Sequence, residues 1–139
     1  MSEITLRILD KLFFAFHTIW IAFNLIGWAR RETRPIHRIT VALTAFSWFV
    51  LGAFYGWGYC LCTDWHFRVR RALGVNDPES SYVQLLIHHV IGIELSRRTS
   101  DRITIAVFSC VVAAAAIGYR KDRRALAERR LESRSSNAA

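Results

Sequence analysis

LFFAFHTIWIAFNLIGWA, residues 12–29, holds no aspartate, glutamate, lysine or arginine. As a helix rising 1.5 Å per residue it reaches about 27 Å, close to the roughly 30 Å of a bilayer's hydrocarbon core. A helix of this length in a soluble domain needs a continuous polar face, and none can be drawn here. Residues 39–63 and 103–119 are free of the same four residue types. The fold class that follows is all-α: a helical integral membrane protein with three transmembrane helices.

Outward from these runs, charge is gathered into blocks. The 139 residues are 53% hydrophobic and 22% charged, a mixture that fits a soluble or a membrane chain until its segregation is considered. A net charge of +8 could suit nucleic acid. The arginines, however, flank apolar runs instead of lining a face interleaved with aromatics, so no nucleic-acid partner is expected. The first run does not read as a secretory signal: Glu3 and Asp10 precede it, and it ends in Gly27-Trp28-Ala29-Arg30-Arg31. It is expected to be retained as a span.

Residues 80–95 are harder to place. Gln84, His88, His89 and Glu94 stand among Val83, Leu85, Leu86, Ile87, Val90, Ile91 and Ile93. An apolar part of about fourteen residues suits an amphipathic or re-entrant helix better than a span. Counting it as a span gives the alternative of four. Asp77-Pro78-Glu79-Ser80 reads as its lead-in, with Ser80 or Ser81 as cap, and Ser100-Asp101 reads as the cap of the last span. With three spans, the loop bearing Arg30, Arg31, Arg34 and Arg38 shares a side with the basic tail, and that side is cytoplasmic by the positive-inside rule. Residues 1–119 form one helical membrane domain in this reading. Residues 120–139 form a basic, partly disordered cytoplasmic tail near anionic lipid headgroups.

Gly52 and Gly56, extended by Cys60, have the small-residue spacing that lets helices approach closely in lipid, as do Ala106, Cys110, Ala114 and Gly118. The contact could be within the chain, with other membrane subunits or in a homo-oligomer. Trp20, Trp28, Tyr55, Trp57, Tyr59 and Tyr119 include interface anchors. His17 and Asn24, seven apart, share a helical stripe that Trp28 continues, and it is expected to face protein, either as an interhelical hydrogen-bonding pair or as a ligand or proton site.

The densest run of chemistry is Gly56-Trp57-Gly58-Tyr59-Cys60-Leu61-Cys62-Thr63-Asp64-Trp65-His66. Thr63 or Asp64 can cap a helix that begins at Trp65. Alternatively the run forms a ligand mouth covered by the segment bearing His88 and His89. Cys and His are ordinary metal ligands, yet a lone Cys-x-Cys leaves the set incomplete, and the metal is unknown. A disulfide between Cys60 and Cys62 is geometrically strained, so free thiols are expected, Cys110 included.

This motif, with the run His17 to Trp28, then Arg34-Pro35-Ile36-His37, Thr44 to Gly52 and Ser81-Tyr82, resembles the bacterial membrane family called domain of unknown function 2784 over residues 8–119. The resemblance implies a small helical membrane protein of the bacterial cytoplasmic membrane, with no established activity. Members usually carry proline directly after the cysteine, where this chain has Leu61. Two function classes remain open. One is a non-enzymatic subunit or scaffold packing against other membrane helices. The other is a haem-, metal- or quinone-binding redox protein that uses His17, His37, Cys60, His66 and His88 or His89.

Overall fold

The computed structural model describes residues 2–56, 58–75 and 81–137. The expected lead-in at Asp77-Pro78-Glu79-Ser80 and the expected anchor Trp57 lie outside these described residues. The helices are α1 (Glu3–Ile26), α2 (Arg34–Phe46), α3 (Gly52–Tyr55), α4 (Leu61–Ala72), α5 (Tyr82–Ile91) and α6 (Arg97–Ser136). A π-helical turn, Ser47–Leu51, joins α2 to α3 and makes one rod of them. The described residues include no strand.

Three rods are long and apolar enough to cross a membrane: Glu3–Ile26, Arg34–Tyr55 and Arg97–Ser135. With its 10 residues α5 is apolar but rises only about 15 Å, half of a hydrocarbon core. The three-span architecture with one short additional apolar helix is therefore the observed one, and α4 joins it as an amphipathic fifth piece.

Local chemistry sets the boundaries. Ser2 caps α1 by accepting from the Thr5 N–H, and Glu3 sits in the positive first turn and pairs with Arg7. The connection after α1 is tied by Thr33, whose hydroxyl donates to the Gly27 carbonyl at 2.7 Å. Pro35 then falls in the first turn of α2, where its missing N–H has no intrahelical partner to lose. Ser81 and Gln84 form a capping box at α5, as the Ser81 reading anticipated. The last helix differs from expectation: its cap is Ser96, which accepts from the Thr99 N–H, not Ser100-Asp101. Ser100 is buried instead, 3.1 Å from the Ser81 hydroxyl, so it ties α6 to α5. The helix also continues to Ser136, through most of the segment read from the sequence as a tail. The composition there is rich in Ala, Leu, Glu and Arg, which are strong helix formers.

Side-chain pairs fix the packing. Trp20 donates to Thr44 and Thr40 to Asn24, so α2 runs antiparallel to α1. Trp48 lies 4.7 Å from Phe108, and Arg34 and Arg38 bind Asp122, so α6 runs antiparallel to α2 and parallel to α1. Beside the N-terminal half of α1 lies α4. The burial pattern is inverted relative to a soluble domain. Buried residues include His17, Asn24, His37, Thr40, His66, Gln84 and Ser100, while Ile8, Leu12, Ile19, Leu43, Phe54 and Ile105 are exposed. An apolar exterior around a polar interior is the arrangement that lipid as solvent selects.

Candidate functional site

The interior polar groups form a seam along α1. Asp10, His17 and Asn24 recur every seven residues and so share one face, about two turns apart. Each meets a different helix.

At the first level, His66 of α4 donates from Nε2 to Asp10 Oδ1 at 2.8 Å, and Arg70, one turn further on, donates to the same oxygen at 3.3 Å. The His66 side of α4 faces α1, its ring lying 5.9 Å from that of Phe13. His66 is 0% exposed. Before α4 the chain passes two glycines with positive φ. Gly56 has φ 112° and Gly58 φ 76°, conformations that strongly favour glycine, and Cys60 is extended before α4 begins.

At the second level, the His17 ring stacks on Tyr82 of α5, with centroids 3.9 Å apart and planes 9° from parallel. The Tyr82 hydroxyl donates to the Phe14 carbonyl at 2.8 Å and lies 2.9 Å from the Thr18 hydroxyl. Tyr82 also stands 6.1 Å from the His66 ring, which makes it the link between the first two levels. At the third level, Asn24 donates to the Trp20 carbonyl and accepts from Thr40, while its own carbonyl accepts from His37 Nε2 at 2.9 Å. His37 approaches so closely that a Cβ on Gly27 would stand 3.1 Å from its ring and 2.7 Å from the Phe23 carbonyl. Gly27 is required by space.

His17, His37 and His66 each keep a buried Nδ1 without a hydrogen-bond partner among the described residues. A neutral imidazole has one donor and one acceptor, and each of these rings presents an unmet nitrogen inside the bundle.

Several expected groupings are not observed. The helix expected to begin at Trp65 begins at Leu61, and Thr63 and Asp64 lie within it, not at its cap. Asp64 instead accepts from Tyr59 at 3.2 Å and from Arg68, four residues on, at 2.9 Å. Trp65 is exposed. His89 is exposed and sits 5.3 Å from Phe14, while the residue of α5 that approaches His66 is Tyr82, at 6.1 Å. His88 is half-buried. Cys60 and Cys62 are half-buried free thiols, and Cys110 is exposed. Burial pushes the Cys62 thiol above its ordinary range, and Cys60 beside it adds to the shift. Among the described residues no group of three or more His, Cys, Asp or Glu side chains is placed to hold a metal ion.

The glycine stripe also resolves differently. A Cβ on Gly56 would meet no described atom within 4 Å, so within the chain this residue makes no close helix contact, and its φ of 112° suits it to the turn after α3. Gly52 is buried at the start of α3. Gly118 faces Arg34 across α2, whereas Ala106, Cys110 and Ala114 line an open groove. Trp28 does not continue the buried stripe: it is 46% exposed. Leu61 is the first residue of α4, a position that proline also suits, so the departure from the family's proline leaves the turn intact.

Asp10, Thr40, Arg70 and Tyr82 are site residues that the sequence reading missed. The signal for Asp10 was the seven-residue spacing, which extends one step before the uncharged run. Neither a curated protein nor a solved structure matches the chain. The family described as Protein of Unknown function (DUF2784) matches over residues 7–120, which include all three levels of the seam, and the chain belongs to that family.

Proposed function

We propose that the protein is a non-enzymatic component of the bacterial cytoplasmic membrane, a braced helical scaffold that associates with other membrane proteins. The observation that carries this reading is the engagement of three carboxylates with other side chains of the fold. Asp10 holds His66 and Arg70, Asp64 holds Tyr59 and Arg68, and Asp122 holds Arg34 and Arg38. A catalytic acid or base needs a reacting group within hydrogen-bond reach, and these carboxylates are directed at other side chains of the fold. The basic connection 27–33 and the tail are assigned to the cytoplasmic side by the positive-inside rule.

The test is the size of the native particle. Gently solubilised membranes containing the tagged protein at its natural level should yield an assembly larger than the purified chain alone, with defined stoichiometry. Migration as a free monomer in both preparations would refute the scaffold reading.

The unmet Nδ1 atoms of His17 and His66, both beside Tyr82, favour a second reading as a cofactor- or quinone-binding protein. Visible absorption or an extractable quinone in the protein purified from its native membrane, lost in His17→Ala, would establish it in place of the first.

A further inference from the structure

Both α1 and α6 pack on α2, and a gap remains between their cytoplasm-assigned halves. It is a groove of about 340 Å³, walled by Leu25 and Trp28 on one side and by Ala106, Cys110 and Ala114 on the other. Small residues every fourth position keep the α6 wall low, and the lining carries no charge. At its end the groove meets a narrow crevice that shares Trp28 and Ala114 with it and is bounded by Arg34, His37, Arg38 and Tyr119.

The crevice is electropositive and incompletely satisfied. Asp122 is one carboxylate between two guanidiniums, and it engages the NH1 of each. Arg38 and Arg123 both stand over the Tyr119 ring, at 5.5 and 5.8 Å. The neighbouring sequence adds Arg30, Arg31, Arg120, Lys121, Arg123 and Arg124 against one further acid, Glu32. His37, 1% exposed, lines the crevice with an Nδ1 that has no partner. The Asn24 carbonyl can only accept, so Nε2 carries the ring hydrogen and Nδ1 offers a lone pair to a donor. The Cδ2 edge of the ring faces Gly27, so Nδ1 points away from α1.

We propose that this groove and crevice bind one anionic glycerophospholipid from the bilayer. An acyl chain lies between Leu25 and Cys110, and the phosphate sits at the mouth of the crevice, which is too narrow to admit it, and accepts from the outer nitrogens of Arg34 and Arg38. Charge selects this occupant over a neighbouring helix. The groove opens into a basic rim that an anionic headgroup complements, and basic pockets between helices on the cytoplasmic side are where such headgroups are recognised. The site is separate from the seam and independent of the scaffold reading.

The full-length protein in detergent, titrated with phosphatidylglycerol or phosphatidylcholine and read by native mass spectrometry, tests this. One phosphatidylglycerol should be retained about tenfold more tightly than phosphatidylcholine, the scale expected for a net gain of one or two charge contacts. Ala106→Leu should abolish that adduct by filling the groove. Ala106 is exposed, so the larger side chain displaces no packed neighbour. If that variant fails to fold, Cys110→Leu on the same exposed wall replaces it. The double variant Arg30→Gln/Arg31→Gln should reduce the preference without removing binding. Equal retention of the two lipids overturns the proposal, as does an adduct that survives in the folded groove variant. Loss of a dimer or larger assembly in Ala106→Leu with lipid retention unchanged would make the groove a helix-docking surface and overturn it likewise.

Discussion

The Asp10 carboxylate accepts from an imidazole that water does not reach and from a guanidinium that is largely covered, so removing it strands the imidazole N–H and takes one partner from the guanidinium. A buried polar group deprived of its partner bears its desolvation cost in full. Asp10→Ala should therefore lower stability by about 2–3 kcal/mol, somewhat below the range for fully buried pairs because Asp10 itself is partly exposed. His66→Ala should lower it by a similar amount, since it also empties the space against Phe13. The two residues share one hydrogen bond, so the double variant should lose at least about 1 kcal/mol less than the two single losses combined. Thermal melting of the four proteins in detergent measures this, and strict additivity would mean that the contact contributes nothing. Asp10 also shows the limit of reading outward from the uncharged runs. The seven-residue stripe through His17 and Asn24 is legible, but its first member lies two residues before Leu12, among the charges that flank the run. Its partner, fifty-six positions away, is a matter of chain reversal that no local pattern encodes.

At the scale of elements, that reversal depends on Gly56. Its φ of 112° is open to glycine and strained for an L side chain, while the space where a Cβ would project holds no described atom. Backbone strain alone then predicts that Gly56→Ala and Gly56→Leu destabilise to the same degree, by about 1–3 kcal/mol. A close helix contact would instead make leucine much worse than alanine, and a melting comparison of the two variants distinguishes these causes. The spacing of Gly52 and Gly56 suggested packing because both fall in one uncharged run. The helix in fact ends at Tyr55, and a pattern of small residues carries no mark of where its helix stops. Serines marked the helix starts only to within a few residues. Of Ser80 and Ser81, the two caps read for α5, Ser81 is the cap and is joined by Gln84 in a capping box, whereas the cap of α6 is Ser96 in place of Ser100-Asp101.

For the molecule as a whole, the distribution of charge and length was sufficient: three uncharged runs in the sequence are three helices with exposed apolar faces around a buried polar seam. Such a surface is stable in lipid and not in water. Alkaline carbonate washing of membranes should leave the protein in the pellet, and a C-terminal fluorescent-protein fusion should mature and fluoresce on the cytoplasmic side. Release into the wash would overturn the membrane reading, while a dark fusion with the same chain inserted would reverse the orientation alone.

The 40 residues of α6 have a mechanical corollary. At 1.5 Å per residue the helix extends about 60 Å, twice the hydrocarbon thickness, so its last four to five turns stand clear of the bilayer as a stiff lever clamped at its base by Arg34, Arg38 and Asp122. Whatever meets the distal arginines is held at a set height and a set azimuth. Inserting two residues beyond Asp122 would swing that end about 200° around the axis while raising it about 3 Å, whereas seven inserted residues would raise it about 10 Å and nearly restore its bearing. The two insertions thus separate a partner that senses direction from one that senses reach.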